Sequence, residues 1–175
     1  MSFDIASYNR QGLVFTAANT AAKSVIAVTT AMTGVILYNP AGSGKKLVLL
    51  HAGWVWTTAP AAVHNIGIAL ASPNVTVPAT LTAIGSGVLA ADGSGNSGAS
   101  VARAYDAATL PVAPVAVRWF GGAAFSGTAA TTGPFSMVDY VDGAIVLVPG
   151  ATMTFAAVTT TAVGMGSVTW IEVPA

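Results

Sequence analysis

Apolar residues in this chain come in short runs separated by turn-forming residues. From Leu13 onward the runs are 13–17 (LVFTA), 23–30 (KSVIAVTT), 33–39 (TGVILYN), 46–56 (KLVLLHAGWVW), 62–70 (AVHNIGIAL) and 80–89 (TLTAIGSGVL). They continue at 112–120 (VAPVAVRWF), 135–140 (FSMVDY), 143–148 (GAIVLV), 151–160 (ATMTFAAVTT) and 166–173 (GSVTWIEV). Val, Ile, Thr, Trp and Tyr dominate them, which is the composition of strands. No window carries a sustained apolar stripe at 3.6-residue spacing. The best helical candidate is the alanine-rich stretch 99–108 (ASVARAYDAA).

The alternation within runs predicts which face each strand buries. In 46–56 the even positions Val48, Leu50, Trp54 and Trp56 make one bulky face. In 151–158, Met153 and Phe155 alternate with Thr152 and Thr154, as in a half-buried strand. Val115, Val117 and Trp119 share a face while Arg118 points away. Residues 144–148 (AIVLV) are apolar on both faces and predict a central strand covered on both sides.

About ten short strands with turns every 8 to 12 residues predict an all-β fold, a jelly-roll-like β-sandwich of about eight to ten strands. At 175 residues the chain has the length of one domain. Residues 13–175 form that domain, and the polar residues 1–12, with Phe3, Tyr8 and Arg10, read as an extended N-terminal arm. Such an arm is either a loose terminus or a strap that crosses onto a neighbouring subunit. Two Gly/Ser/Thr-rich stretches, 90–100 and 121–134, read as loops.

Composition changes the picture in one respect. Only 7% of residues are charged, against about 25% in an average soluble domain. A monomer normally uses charge to stay soluble, so this chain is expected to cover part of its surface with copies of itself or other subunits. The formal net charge is zero, which argues against a nucleic-acid surface. The longest uncharged run, 143–171, is broken by Pro149-Gly150 and filled with Thr, Gly and Ala, so no membrane-spanning helix is expected. The start lacks a basic segment followed by an apolar one, and no secretion signal is expected. There is no cysteine, so neither disulfides nor thiolate metal sites are available.

Candidate chemistry is sparse. The stretch NPAGSGKK, 39–46, looks like a phosphate-binding loop. Aligned on Gly44-Lys45, however, Asn39 stands where that motif needs glycine and Lys46 where it needs a hydroxyl. A strand-like run follows it, where a phosphate loop needs a helix N-terminus. A loop between strands is the better reading, with Gly42 and Gly44 supplying positive φ. Gly93, Gly95 and Gly98 match G-x-G-x-x-G but lack the acidic partner about 20 residues on. His51 and His64 lie in strand-like runs without metal-ligand spacing. Asp139 and Asp142 could be an acid/base pair, but YVDG reads more simply as a turn. Trp54, Trp56, Trp119, Phe120 and Trp170 could form a sugar-stacking platform, with core packing the favoured alternative. Asn74-Val75-Thr76 fits a glycosylation sequon, most simply by chance. No enzyme, cofactor or metal site is expected.

The C-terminal stretch DGAIVLVPGATMTFAAVTTTAVGMGSVTWIEVP has an apolar strand, a Pro-Gly turn, a Thr/Ala-rich strand and a closing strand with Trp and Glu. In this it resembles small jelly-roll structural proteins of tailed bacteriophages. LYNPAGSGKKLVLLHAGW is similar to the same group, in which an Asn-Pro and Gly-Ser-Gly-Lys turn joins two strands. The resemblance implies a virion protein, assembled in the bacterial cytoplasm, that decorates or cements the major capsid protein. A head fibre or receptor-binding tail tip is the alternative. It implies a homo-oligomer, a trimer before a dimer, and carries no catalytic residue. Within this reading Phe3, Tyr8, Arg10, Lys45 and Lys46 are the candidate subunit or capsid contacts.

Overall fold

A computed structural model describes residues 4–58, 64–94, 99–123, 136–158 and 161–175. Among these residues one helix, α1 (Ile5–Arg10), is followed by thirteen strands. These are β1 (Val14–Ala18), β2 (Lys23–Val25), β3 (Ala31–Tyr38), β4 (Lys45–Trp56), β5 (His64–Ala71), β6 (Ala79–Ala83) and β7 (Leu89–Ala90). The chain continues with β8 (Arg103–Thr109), β9 (Val115–Ala123), β10 (Ser136–Tyr140), β11 (Val146–Leu147), β12 (Thr152–Ala157) and β13 (Ala162–Pro174).

Two antiparallel sheets face each other. One runs β10-β4-β13-β1-β7, with β11 also on β4 and β2 also on β13. The other runs β6-β8-β3-β12-β5-β9. Eight strands carry the topology through four nested antiparallel pairs: β1 with β13, β3 with β12, β4 with β10, and β5 with β9. The chain is thus one long hairpin, first strand against last, rolled so that its pairs fall alternately in the two sheets. That is the jelly roll expected from the strand spacing. The strand number is higher because β2, β7 and β11 are two or three residues long and the run 80–89 divides into β6 and β7.

Between the sheets lies a core that includes Phe15, Leu37, Leu49, Trp54, Ile68, Met153, Phe155 and Trp170. Trp54, Trp56 and Trp170 are buried, so core packing accounts for three of the four tryptophans. Phe120 packs against this core and meets Phe155 edge-on, at 5.7 Å between ring centres.

Five expectations are corrected. The bulky even face of 46–56 does not exist as one face. Leu47, Leu49, Ala52, Trp54 and Trp56 point into the core, while Val48 and Leu50 lie in a separate cluster on the outer face. Opposite Thr169 and Trp170 the register jumps from His51 to Leu49, leaving Leu50 as the extra residue of a bulge. A bulge shifts the alternation by one position. β12 is buried on both faces, Thr152 and Thr154 included. The connection 110–114 leads from β8, beside β3, to β9, beside β5. It therefore crosses the sheet, and its Leu110 joins Ile36, Tyr38, Ala69 and Ala156 in the cluster on the outer side. By contrast, 144–148 is no central strand. Only Val146–Leu147 pair with β4, and Val146 and Val148 are exposed.

The stretch 99–108 is the fourth. It contributes β8, not a helix, despite alanine's helical preference. Ala104, Tyr105, Asp106 and Ala108 are buried between β3 and β6, and this tertiary pairing outweighs an intrinsic preference worth tenths of a kcal/mol per residue.

The N-terminal segment also departs from an extended arm. Asp4 caps α1 by accepting a hydrogen bond from the Ser7 N–H at 3.2 Å. Gly12, at φ +66°, then turns the chain into β1. The helix lies over the outer-face cluster of Val14, Val48, Leu50 and Ile171, against which Tyr8, Leu13 and Val173 pack.

Candidate functional site

The NPAGSGKK loop joins β3 to β4. Gly42 and Gly44 have φ of +77° and +66°, as the turn requires, and a strand follows. Its organiser is Asn39, whose relative exposure is 0%. The Asn39 side-chain amide donates to the Lys45 carbonyl at 2.8 Å and the Leu147 carbonyl at 2.9 Å. Its oxygen accepts from the Ser43 hydroxyl at 2.7 Å. The Asn39 N–H donates to the Ala151 carbonyl, and its carbonyl accepts from the Gly150 N–H. One side chain therefore locks the β3–β4 corner to the β11–β12 corner, both of which step between the sheets.

Of the candidate contact residues, Phe3 lies outside the described residues. Tyr8 packs, half-buried, on its own sheet, while Arg10 is exposed at the end of α1. Lys45 and Lys46 open β4 opposite Pro174 and Val173. They are half-buried and have no ion-pair partner among the described residues. Register places Lys46 and Val173 beside the cluster that Tyr8 covers, so Tyr8, Lys45 and Lys46 gather at one end of the seven-stranded sheet.

The carboxylates have structural partners. Asp139 accepts two hydrogen bonds from Arg118, from Nε at 2.5 Å and from Nη2 at 2.9 Å. This pair bridges edge strands β9 and β10 and closes one side of the sandwich. It also raises the Arg118 pKa above its ordinary value, chiefly through the hydrogen bonds to Asp139. Asp142 sits in a turn at φ +48°. Gly93 has φ +79° and the Ser94 N–H bonds Asp92; Gly95 and Gly98 lie outside the described residues. The His64 side chain is likewise outside them. No group of three His, Asp or Glu side chains among the described residues could hold a metal, and no described helix is long and apolar enough to cross a membrane.

Two buried polar centres escaped the sequence reading. Asp106 accepts from Lys23 Nζ at 2.8 Å and from Asn19 Nδ2 at 2.6 Å, and the Asn19 side-chain oxygen accepts from the Gly166 N–H. Glu172 is 2% exposed. Its carboxylate accepts from the Ser100 hydroxyl at 2.6 Å, the Val101 N–H at 3.1 Å and the Ala102 N–H at 3.3 Å. Trp170 Nε1 stands at 3.5 Å. The available signal was one acid inside the apolar run VTWIEV.

Exposed apolar side chains concentrate on β9. Val115, Val117 and Trp119 are all exposed, but they do not form one face as the alternation predicts: a register shift leaves Val117 as an extra residue, so that Val115 stands opposite Leu70, which packs on the core, and Trp119 opposite Gly67. Val115 is 67% and Trp119 45% exposed. Trp119 lies over Gly67, where an added β-carbon would meet the ring at 2.7 Å.

No family model, no curated protein and no solved structure matches the chain.

Proposed function

We propose that the protein is a structural component of a bacteriophage particle. In this reading it is a decoration or cement protein that self-associates, as a trimer or dimer, on the major capsid protein. The observation that carries the reading is how little charge the surface holds. Of six cations and six anions, Lys23 with Asp106 and Arg118 with Asp139 are engaged in ion pairs, and Glu172 is buried. Covering most of the remaining surface desolvates no ion, which suits a protein that spends its working life against other subunits. The exposed Trp119 on β9 supplies an aromatic anchor for such a contact. Several modest contacts per oligomer add up to durable attachment.

Replacing Val117 with Lys and Trp119 with Ser together is expected to shift the protein to a monomer in sedimentation velocity without lowering its melting temperature. A wild-type protein that is monomeric at micromolar concentration contradicts self-association. Replacing Lys45 and Lys46 with Gln is expected to weaken assembly at low salt and to have little effect at high salt, where charges are already screened. Equal assembly at both salt concentrations reduces that loop to a structural corner. Quantitative mass spectrometry of the particle decides the location. A copy number comparable with the major capsid protein supports decoration, and a few copies per particle support a receptor-binding tip instead.

A further inference from the structure

Beyond the end covered by α1, the outer face of the seven-stranded sheet exposes Val138 and Tyr140. Antiparallel register sets its residues in rows. Tyr140, His51, Thr169 and Thr16 form one row, and Val138, Gly53, Ser167 and Ala18 the next. Over the second row runs a shallow groove of about 260 Å³, whose walls include Val55, Ser136, Val138, Met165 and Ser167. Gly53 is its floor. A β-carbon there would come within 3.1 Å of the Ser167 hydroxyl and 3.7 Å of the Val138 side chain, so any other residue fills the depression. No Asp, Glu, Lys or Arg among the described residues lines it.

The chemistry of this face is neutral and unspent. The hydroxyls of Ser136 and Ser167 and the His51 imidazole have no hydrogen-bond partner among the described residues. Burial pushes the His51 pKa below its ordinary value. The ring is therefore neutral at pH 7 and offers one donor and one acceptor. Tyr140, 69% exposed, stands edge-on to His51 at 6.5 Å between ring centres. It offers an aromatic surface in the adjoining row.

We infer that this groove binds one ring of a neutral carbohydrate. A pyranose presents an apolar C–H face and a rim of hydroxyls that both donate and accept. Tyr140 and Val138 match the first, and Ser136, Ser167 and His51 match the second. With no ion lining the groove, no charge has to be desolvated. A second copy of the chain seated here would bury the same hydroxyls and imidazole and has to find them partners; sugar hydroxyls supply those partners directly. The volume lies just below the roughly 300 Å³ of sites for drug-sized ligands, which suits a single ring at the end or branch of a polysaccharide. The inference does not depend on the virion reading.

The test is saturation-transfer NMR with the methyl glycosides of glucose, galactose and N-acetylglucosamine. At least one is expected to bind with about millimolar affinity, the strength available to so few ligand atoms. Gly53→Val fills the floor and Tyr140→Ala removes the ring. Each is expected to weaken binding about tenfold or more, the scale of one lost stacking contact. Trp119→Ser, on the other sheet, is expected to leave binding unchanged. Melting curves check that the variants fold, and should Gly53→Val not fold, Tyr140→Ala and His51→Ala carry the test. Binding of none of the three glycosides overturns the inference, as does binding that survives these groove substitutions. A change of oligomeric state in Tyr140→Ala without sugar binding also overturns it, and assigns the face to a subunit interface.

Discussion

Replacing Asn39 with alanine is expected to destabilise the protein by about 3 to 4 kcal/mol. The variant removes three hydrogen bonds of a fully buried side chain, to Lys45, Leu147 and Ser43. Each buried polar group left without a partner costs about 1–3 kcal/mol, and the Ser43 hydroxyl can still reach the Lys45 carbonyl at 3.3 Å. For a domain of this size that loss lowers the melting temperature by about 6 to 16 °C. Urea unfolding should show a lower midpoint at unchanged slope, because the variant exposes no additional surface on unfolding. Asn39→Asp is the sharper variant. It keeps the shape but turns an oxygen, in place of the amide nitrogen, toward two carbonyl oxygens, so its loss should equal or exceed that of alanine. An aspartate variant within about 1 kcal/mol of the wild type would falsify this description of the corner.

Glu172→Ala is expected to rank beside it, at about 3 to 5 kcal/mol, because several buried donors lose their acceptor at once and each costs about 1–3 kcal/mol. The carboxylate gathers donors from Ser100, Val101 and Ala102, and its removal leaves them facing an apolar cavity beside Trp170. Glu172→Gln retains one acceptor oxygen and loses the 3.2 Å bond that Oε2 accepts from the Val101 N–H. About 1 to 2 kcal/mol is the expected loss there. The order wild type, Gln, Ala in melting temperature is therefore the prediction. A second readout is local: the 99–102 segment is held to β13 through this carboxylate, so proteolysis in the preceding glycine-rich stretch should accelerate in the alanine variant. Unchanged cleavage together with an unchanged melting temperature would show that Glu172 does not anchor the segment.

Both centres bear on how much of the site is legible in a sequence. Asn39 was visible as the residue that spoils a phosphate-loop match. Its actual work depends on Leu147 and Ala151, more than a hundred residues away, and nothing local reveals them. Glu172 stood out as an acid within an apolar run, yet its partners at 100–102 come from a stretch whose alanines read as helix. The outer-face groove was not legible at all. Gly53 and Ser167 read as small residues in ordinary strands until register sets them side by side.

Local pattern determined where the strands lie and that they form a jelly-roll sandwich. Runs of β-branched and aromatic residues between Gly, Pro and Asn turns locate nearly every long strand, because the pleat and the turn are properties of neighbouring residues. Only the tertiary structure decided which faces are inside. The bulge at Leu50 reverses the alternation of β4, the 110–114 crossing buries Thr154, and the edge position of β9 leaves Trp119 in solvent. Each outcome is set by pairing between residues far apart in the chain, and burial follows from that pairing whatever the apolar character of a single run.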